Sequence, residues 1–316
     1  MRNKLIFFLI LLFSQAAEPV WANDADTLAP PASTAIQPAP SAAPQRGTLY
    51  RVRYQNHTGY LFGTIHVGRP DFFPLEEQAT RALTEAGTLV LELDMRNHAS
   101  LQSAAKKYGI YTNNDTLDKH LAPASLMRLK QALAQAGVPF EGVAHMKAWL
   151  VANLLLVAML ERQGYHTEQG TETFLLKAAE AQGKTIRELE SADFQLSLFD
   201  DMTEKQQEQY LDENLTDLQS GVALKKTQDL IDAWVAADEK AFDVLLREAQ
   251  DDQSTTGKFF RRVLLDKRNP TMTAKIESLI KQDKVSFVAV GLLHLIGANG
   301  VPQLLSRHGY QVTRLY

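Results

Sequence analysis

The sequence predicts an α/β domain with a mixed central sheet, an opening β-hairpin, flanking helices and a large helical insertion. Three observations lead there. Short runs rich in β-branched and aromatic residues alternate with helical segments at both ends of the folded part. Two alternating runs around the turn QNHTG open it as a hairpin. Between the two ends, positions 98–165 and 191–250 read almost wholly as helix.

The 316-residue chain begins with segments to set aside before any fold is argued. Arg2 and Lys4 precede the apolar run Leu5 to Phe13, and Val20-Trp21-Ala22 offers small or modest residues at a cleavage site. Positions 1–22 therefore read as a secretory signal peptide, because the apolar run falls short of the roughly 20 residues a membrane span needs. Positions 23–46 are rich in Ala, Pro and Ser and read as a disordered linker. Positions 47–316 are expected to form a single domain. The expected location is exported and periplasmic, with no transmembrane span after signal cleavage.

LYRVRY and YLFGTI make the hairpin of 48–65. PLEEQATRALTEAG follows with helical spacing, Pro74 suiting the first turn. TLVLELD is a short apolar strand of the buried parallel type. Ala148 to Leu160 is strongly apolar, but Asn153 interrupts it and Lys147 and Glu161 flank it, which predicts a buried core helix. TETFLLKAAEAQG is an amphipathic helix ending at Gly183, and KTIRELE is the next strand. Three or so helices fill 191–250, and KFFRRVLLDKR is a further helix. Asn269-Pro270 reads as a cap and first-turn proline. KVSFVAVG is a second buried strand, GVPQLLSRHG a helix and YQVTRLY the last strand.

Composition excludes several classes. There is no cysteine, so neither a lipid anchor, nor a disulfide, nor a thiolate metal site can form. The net charge is −4 and no basic face stands out, so nucleic acid is not an expected partner. No Gly-rich phosphate loop, no Gly-x-Ser-x-Gly elbow and no His-Glu-x-x-His motif occurs.

Chemistry is concentrated at two similar places. YLFGTIH ends a strand at His66 and FVAVGLLH ends one at His294, each with Gly three residues earlier. A Gly there lets the chain turn or come close to another group. Each His then lies in the loop above the sheet, where α/β proteins place ligands. Chance alone gives about 0.4 Gly-x-x-His matches at this composition. A third match, Gly142 to His145, lacks the preceding strand and is set aside. In LVLELDM, Glu92 and Asp94 share one face by the period of two. A carboxylate at the end of a buried strand is costly unless paired or metal-bound. Two His and a carboxylate suit a divalent metal, and an ion pair of Glu92 with an arginine such as Arg268 is the plainer alternative. Arg268 could instead anchor a substrate carboxylate or phosphate. Composition alone makes Glu172, Glu188 and Glu190 ordinary surface residues, and Trp149 and Phe259-Phe260 core. His57, His98, His120, His166 and His308 receive no role.

The segments FGTIHVG, LVLELD, GTETFLLKAAEAQGKTIRELES, LLDKRN and FVAVGLLHLIGANGVPQLLSRHGYQV, in this order, resemble the TraB/GumN family. That family is related to the Tiki proteins and, more distantly, to ChaN-like and erythromycin-esterase-like proteins. The resemblance runs from about residue 49 to 316. It implies a metal-dependent hydrolase fold, with Tiki relatives acting on peptides and the esterase branch opening an ester. It carries His66, Glu92 and His294 to the metal or catalytic site, with Glu172, Arg268 and Asn269 at further polar positions. One departure is Lys147-Ala148-Trp149, where relatives often have a proline before the tryptophan. The expectation is a hydrolase of the bacterial envelope, a peptidase foremost, using a divalent metal ion and a peptide or small-molecule substrate. Glu92 stands as either metal ligand or general base, and Arg268 as stabiliser of negative charge. The alternatives are a metal, haem or small-ligand binding protein without turnover, or a structural partner in envelope or polysaccharide assembly.

Overall fold

The computed structural model describes residues 46–316; the expected signal peptide and nearly all of the expected linker lie outside the described residues. Six strands form one sheet: β1 (Leu49–Tyr54), β2 (His57–Thr64), β3 (Thr88–Leu91), β4 (Thr185–Glu188), β5 (Val285–Gly291) and β6 (Gln311–Arg314). Their order is β4-β3-β5-β2-β1-β6. The first four in that order run parallel. β1 is antiparallel to both its neighbours, β2 and β6. The mixed α/β sheet with an opening hairpin is therefore present.

Alternation along the strands builds two cores, one on each face. Leu89 and Leu91 of β3, with Phe287 and Ala289 of β5, face the larger core. Val90, Val288 and Val290 point the other way, onto Met272, Ile276 and Ile280 of the helix Arg268–Gln282 and onto Val301 and Leu305 of Val301–Arg307. β3 and β5 are thus apolar on both faces, as central parallel strands covered by helices must be.

The larger core is the helical insertion. Helix Ala148–Arg162 lies in its middle, with Trp149 fully buried and stacked on Phe199 at 4.8 Å between centroids. Asn153 is buried too, its Oδ1 accepting from the Tyr210 hydroxyl at 2.9 Å. No helix of the described residues is long and apolar enough to cross a membrane. Region 191–250 holds four helices: Ala192–Asp200, Glu204–Gln219, Val222–Ala236 and Glu239–Asp251.

Three local expectations are corrected. Pro74 lies ahead of its helix, which spans Glu77–Glu85; the Pro74 carbonyl instead accepts from Arg46 Nη1 at 3.2 Å. KFFRRVLLDKR is not one regular helix, because Thr255–Phe259 gives way to a π-helical stretch, Phe260–Asp266. That stretch runs directly into the helix Arg268–Gln282, so Asn269 sits inside the first turn and does not cap it.

The parallel strands all end on one edge of the sheet. Just beyond β2 comes His66, beyond β3 Glu92, beyond β4 Glu190 and beyond β5 His294. Helices Thr171–Ala181 and Arg268–Gln282, which precede β4 and β5, begin at the same edge with Glu172 and with Arg268 and Asn269. Loops above the carboxyl ends of parallel strands are where this architecture builds sites.

Candidate functional site

Glu92 is the centre of the constellation. The ladder pairs Leu91 with Ala289 of β5. One residue further, the Glu92 side chain turns to the face of the helix Arg268–Gln282. Its Oε1 accepts from the Gly291 amide at 2.7 Å and its Oε2 from Arg268 Nη2 at 2.6 Å. Burial, the largest single effect, pushes this carboxyl up, but Arg268, the two histidines and the Gly291 amide together outweigh it and hold the pKa down, to about 2. Asp94, expected on the same face, lies past the end of β3 and bonds to Arg96 at the surface.

Arg268 is 2 % exposed and faces two carboxylates. Its Nε reaches both oxygens of Glu190 at 3.1 and 3.0 Å, and Nη2 reaches Glu190 Oε2 at 2.7 Å. Nη1 donates to the Leu264 carbonyl at 3.4 Å. Burial opposes the charge, yet the flanking carboxylates keep the arginine pKa above its ordinary value. Gln195 braces the two acids, donating to Glu190 at 2.8 Å and to Glu92 at 3.3 Å.

His294 is fully buried. Its Nδ1 lies 2.6 Å from Asn269 Oδ1, and its Nε2 3.7 Å from Glu92 Oε1. Burial pushes the ring's pKa down, to about 3, so it is neutral at pH 7. His66 behaves oppositely. Burial works against its charge, but Glu172, whose Oε1 is 2.7 Å from Nδ1, raises the pKa above the usual value. The same oxygen accepts from the Thr64 hydroxyl at 2.5 Å. Charges at Glu92 and Arg268 act on both rings, which places His66 and His294 in one electrostatic neighbourhood.

Glycine has a different role here than a turn. Neither Gly63 nor Gly291 has a positive φ; Gly63 lies inside β2 and Gly291 ends β5. A Cβ on Gly63 would meet Leu292 Cδ1 at 3.0 Å, so close packing is what that position requires. Backbone closeness is greater around His66. A Cβ on Gly68 would lie 2.0 Å from the Gln169 carbonyl oxygen, and one on Gly170 would lie 2.6 Å from that of His66.

The structure thus gathers His66, Glu92, Glu172, Arg268, Asn269 and His294 at one sheet edge. Sequence reasoning missed Glu190, Gln195 and Thr64. Glu172 and Glu190, ordinary by composition, are 6 % and 3 % exposed, while Glu188 is exposed as expected. One signal was available for Glu190: like Glu92, it comes within two residues of the end of a parallel strand. A cavity of about 240 Å³ opens on His66 and Glu172, bounded by Met95, Leu176, Thr173 and Lys177.

Donor chemistry at this edge suits a divalent cation. Two imidazoles stand near carboxylates, and Glu172 Oε2 is buried with no hydrogen-bond donor among the described residues. These groups do not form a closed shell, since no three His, Asp or Glu among the described residues stand together as a metal-holding group.

Comparison with known proteins gives three relatives. The chain is 26 % identical to the protein YbaP of Shigella flexneri over 250 residues, covering 79 % of this chain and 88 % of that one. YbaP of Escherichia coli matches to the same extent. Metalloprotease TIKI1 of Danio rerio is 25 % identical over 304 residues, covering 80 % of this chain and 60 % of the relative. No solved structure matches the chain. The model of the TraB/PrgY/gumN family matches residues 48–314, nearly all of the described residues, and the chain therefore belongs to that family.

Proposed function

We propose that the protein is a metal-dependent hydrolase whose site is this sheet edge, with peptides as the substrate class. The observation that carries the reading is the Glu172–His66 pair: a buried carboxylate oxygen with no donor beside an imidazole, at the floor of a cavity open to solvent. The likeness to Metalloprotease TIKI1 supports it.

In this reading the His66–Glu172 pair at the cavity would take a divalent ion, with His294 on the same sheet edge but not grouped with them beforehand; when bound, the ion acidifies a water and polarises a carbonyl. Glu92 is a poor proton acceptor at a pKa of about 2. It is the fixed anion that aligns Arg268 and the Gly291 amide. Arg268, with its donors directed at Glu190, Glu92 and Leu264, balances charge beneath the site and does not meet substrate. Thr64 and the His66 ring hold the Glu172 carboxylate in place from two sides. The cavity wall of Met95 and Leu176 offers apolar contact to a side chain, and Lys177 offers a cation.

We also propose that the chain is exported to the periplasm after cleavage behind Ala22, on the strength of its first 22 residues. Cell fractionation and N-terminal sequencing check this, with Asn23 as the expected first residue.

The functional test is direct. Purified protein is stripped with chelator, reloaded with zinc, manganese or cobalt, and incubated with a mixed peptide library. Metal-dependent cleavage that His66→Ala abolishes is expected. Bound metal without cleavage would make the protein a metal-binding protein, and neither metal nor cleavage would remove the reading altogether.

A further inference from the structure

The contacts of the Asn269 amide decide the protonation pattern of His294. Asn269 Nδ2 donates to the Asn299 carbonyl at 2.8 Å. A carbonyl oxygen only accepts, so the amide group facing it is the NH2, and the other end of the Asn269 amide is its oxygen. That oxygen lies 2.6 Å from His294 Nδ1 and also only accepts. The hydrogen in this contact must therefore reside on Nδ1. On the far side of the ring, Nε2 stands 3.7 Å from Glu92 Oε1, beyond hydrogen-bonding distance. That oxygen already accepts from the Gly291 amide.

We infer that Asn269, oriented by the Asn299 carbonyl, is a positioning residue that fixes His294 as its Nδ1–H tautomer and makes Nε2 the basic nitrogen turned toward Glu92. A neutral imidazole left to itself favours the Nε2–H form, so the protein must impose the other one. The orienting carbonyl is itself held. Gly297, at a φ of +77°, lies against helix Glu239–Asp251, where a Cβ would come 2.3 Å from Leu246 Cδ2. The loop carrying Asn299 is thus packed against the insertion. The consequence is chemical. A ring bearing hydrogen on Nε2 could neither take a proton there nor coordinate a borderline divalent cation; the Nδ1–H form can do either.

Use of Nε2 in hydrolysis rests on the proposed function, but the tautomer does not, and nuclear magnetic resonance reads it without turnover. In metal-stripped, 15N-labelled protein near pH 7.5, long-range proton–nitrogen correlation separates pyrrole-type from pyridine-type ring nitrogens. His294→Gln identifies the signals of this ring among the eight histidines by their disappearance. Where that variant does not fold, contacts from the ring protons to the Asn269 amide identify them. The expected result is a pyrrole-type Nδ1 and a pyridine-type Nε2. Asn269→Ala should move the ring to the Nε2–H form or to exchange between the two, with unchanged circular dichroism. Asn269→Asp, which keeps an acceptor on the ring, should retain Nδ1–H. An Nε2–H ring in the wild-type protein overturns the inference, as does a tautomer indifferent to Asn269→Ala. If the ring is Nδ1–H and no peptide is cleaved, the hydrolase reading fails and this inference stands.

Discussion

Arg268 and Glu190 meet across the gap between the helix Arg268–Gln282 and the end of β4, the guanidinium bonded to both carboxylate oxygens while one nitrogen reaches on to Glu92. Two acids and one arginine, each no more than about a twentieth exposed, leave one negative charge in excess within the group. Removing the arginine would leave two buried carboxylates without their cation. Arg268→Met should therefore cost about 3–5 kcal/mol of stability, a magnitude typical of breaking a buried pair. Urea denaturation measures it; a loss under 1 kcal/mol would show that the cluster is not the electrostatic unit described.

His294 predicts a pH dependence with a definite sign. Its folded pKa is about 3 against an ordinary 6.5, so below pH 6.5 the unfolded chain binds a proton that the folded chain refuses. The stability contributed by this ring should be flat above 6.5 and fall as pH drops toward 3, the loss reaching roughly 1.4 kcal/mol at pH 5.5. Glu92 adds a loss in the same direction at lower pH, between its ordinary 4.5 and about 2. His66, with a raised pKa, contributes stability that is present at low pH and lost as pH rises through its folded value. Comparing denaturation midpoints at pH 7.5 and 5.5 isolates the His294 part: in His294→Gln the difference between the two should shrink by that amount.

Glu172 sets the proton affinity of His66. Burial alone would lower that pKa, and the carboxylate 2.7 Å away supplies most of what reverses the sign, with a smaller part from Glu92. In Glu172→Gln the His66 pKa should fall below the ordinary value, followed by its ring proton shifts through a titration. Binding of a divalent cation should weaken in the same variant. A His66 pKa that stays raised would place the cause elsewhere.

Close backbone approach fixes where His66 stands. Gly68 pairs with His166 across an isolated bridge, and any Cβ would collide with the Gln169 carbonyl. Gly68→Ala must push the two segments apart, at a cost of about 1–3 kcal/mol for overpacking. The His66–Glu172 contact should loosen with it, seen as a lowered His66 pKa in the folded variant. Gly87→Ala, where a Cβ meets nothing within 4 Å, serves as the neutral comparison.

Much of the fold was legible because periodicity reports which side of an element is wet. The hairpin, the apolar strands β3 and β5 and the buried helix Ala148–Arg162 all followed from runs and alternations that only burial explains. The Gly-x-x-His spacing marked both histidines, since a strand end followed by a short loop returns each to the same edge. Pro74 and Asn269 misled because local turn chemistry was read alone: in the fold an arginine from the hairpin's entrance holds the first, and a π-helical stretch leads straight into a helix that has already begun, at Arg268, before the second.

The sequence by itself determined the alternation of strands and helices, the apolar insertion and the pair of strand-end histidines, since these depend on residues near one another along the chain. Tertiary structure alone decided that Glu190 and Glu172 are buried, that Arg268 lies between two acids, and that Asn269 turns its oxygen to His294. Each of those facts joins positions between 25 and 176 residues apart. A carboxylate's solvation and an amide's orientation depend on which distant group arrives beside it, and no local pattern encodes that arrival.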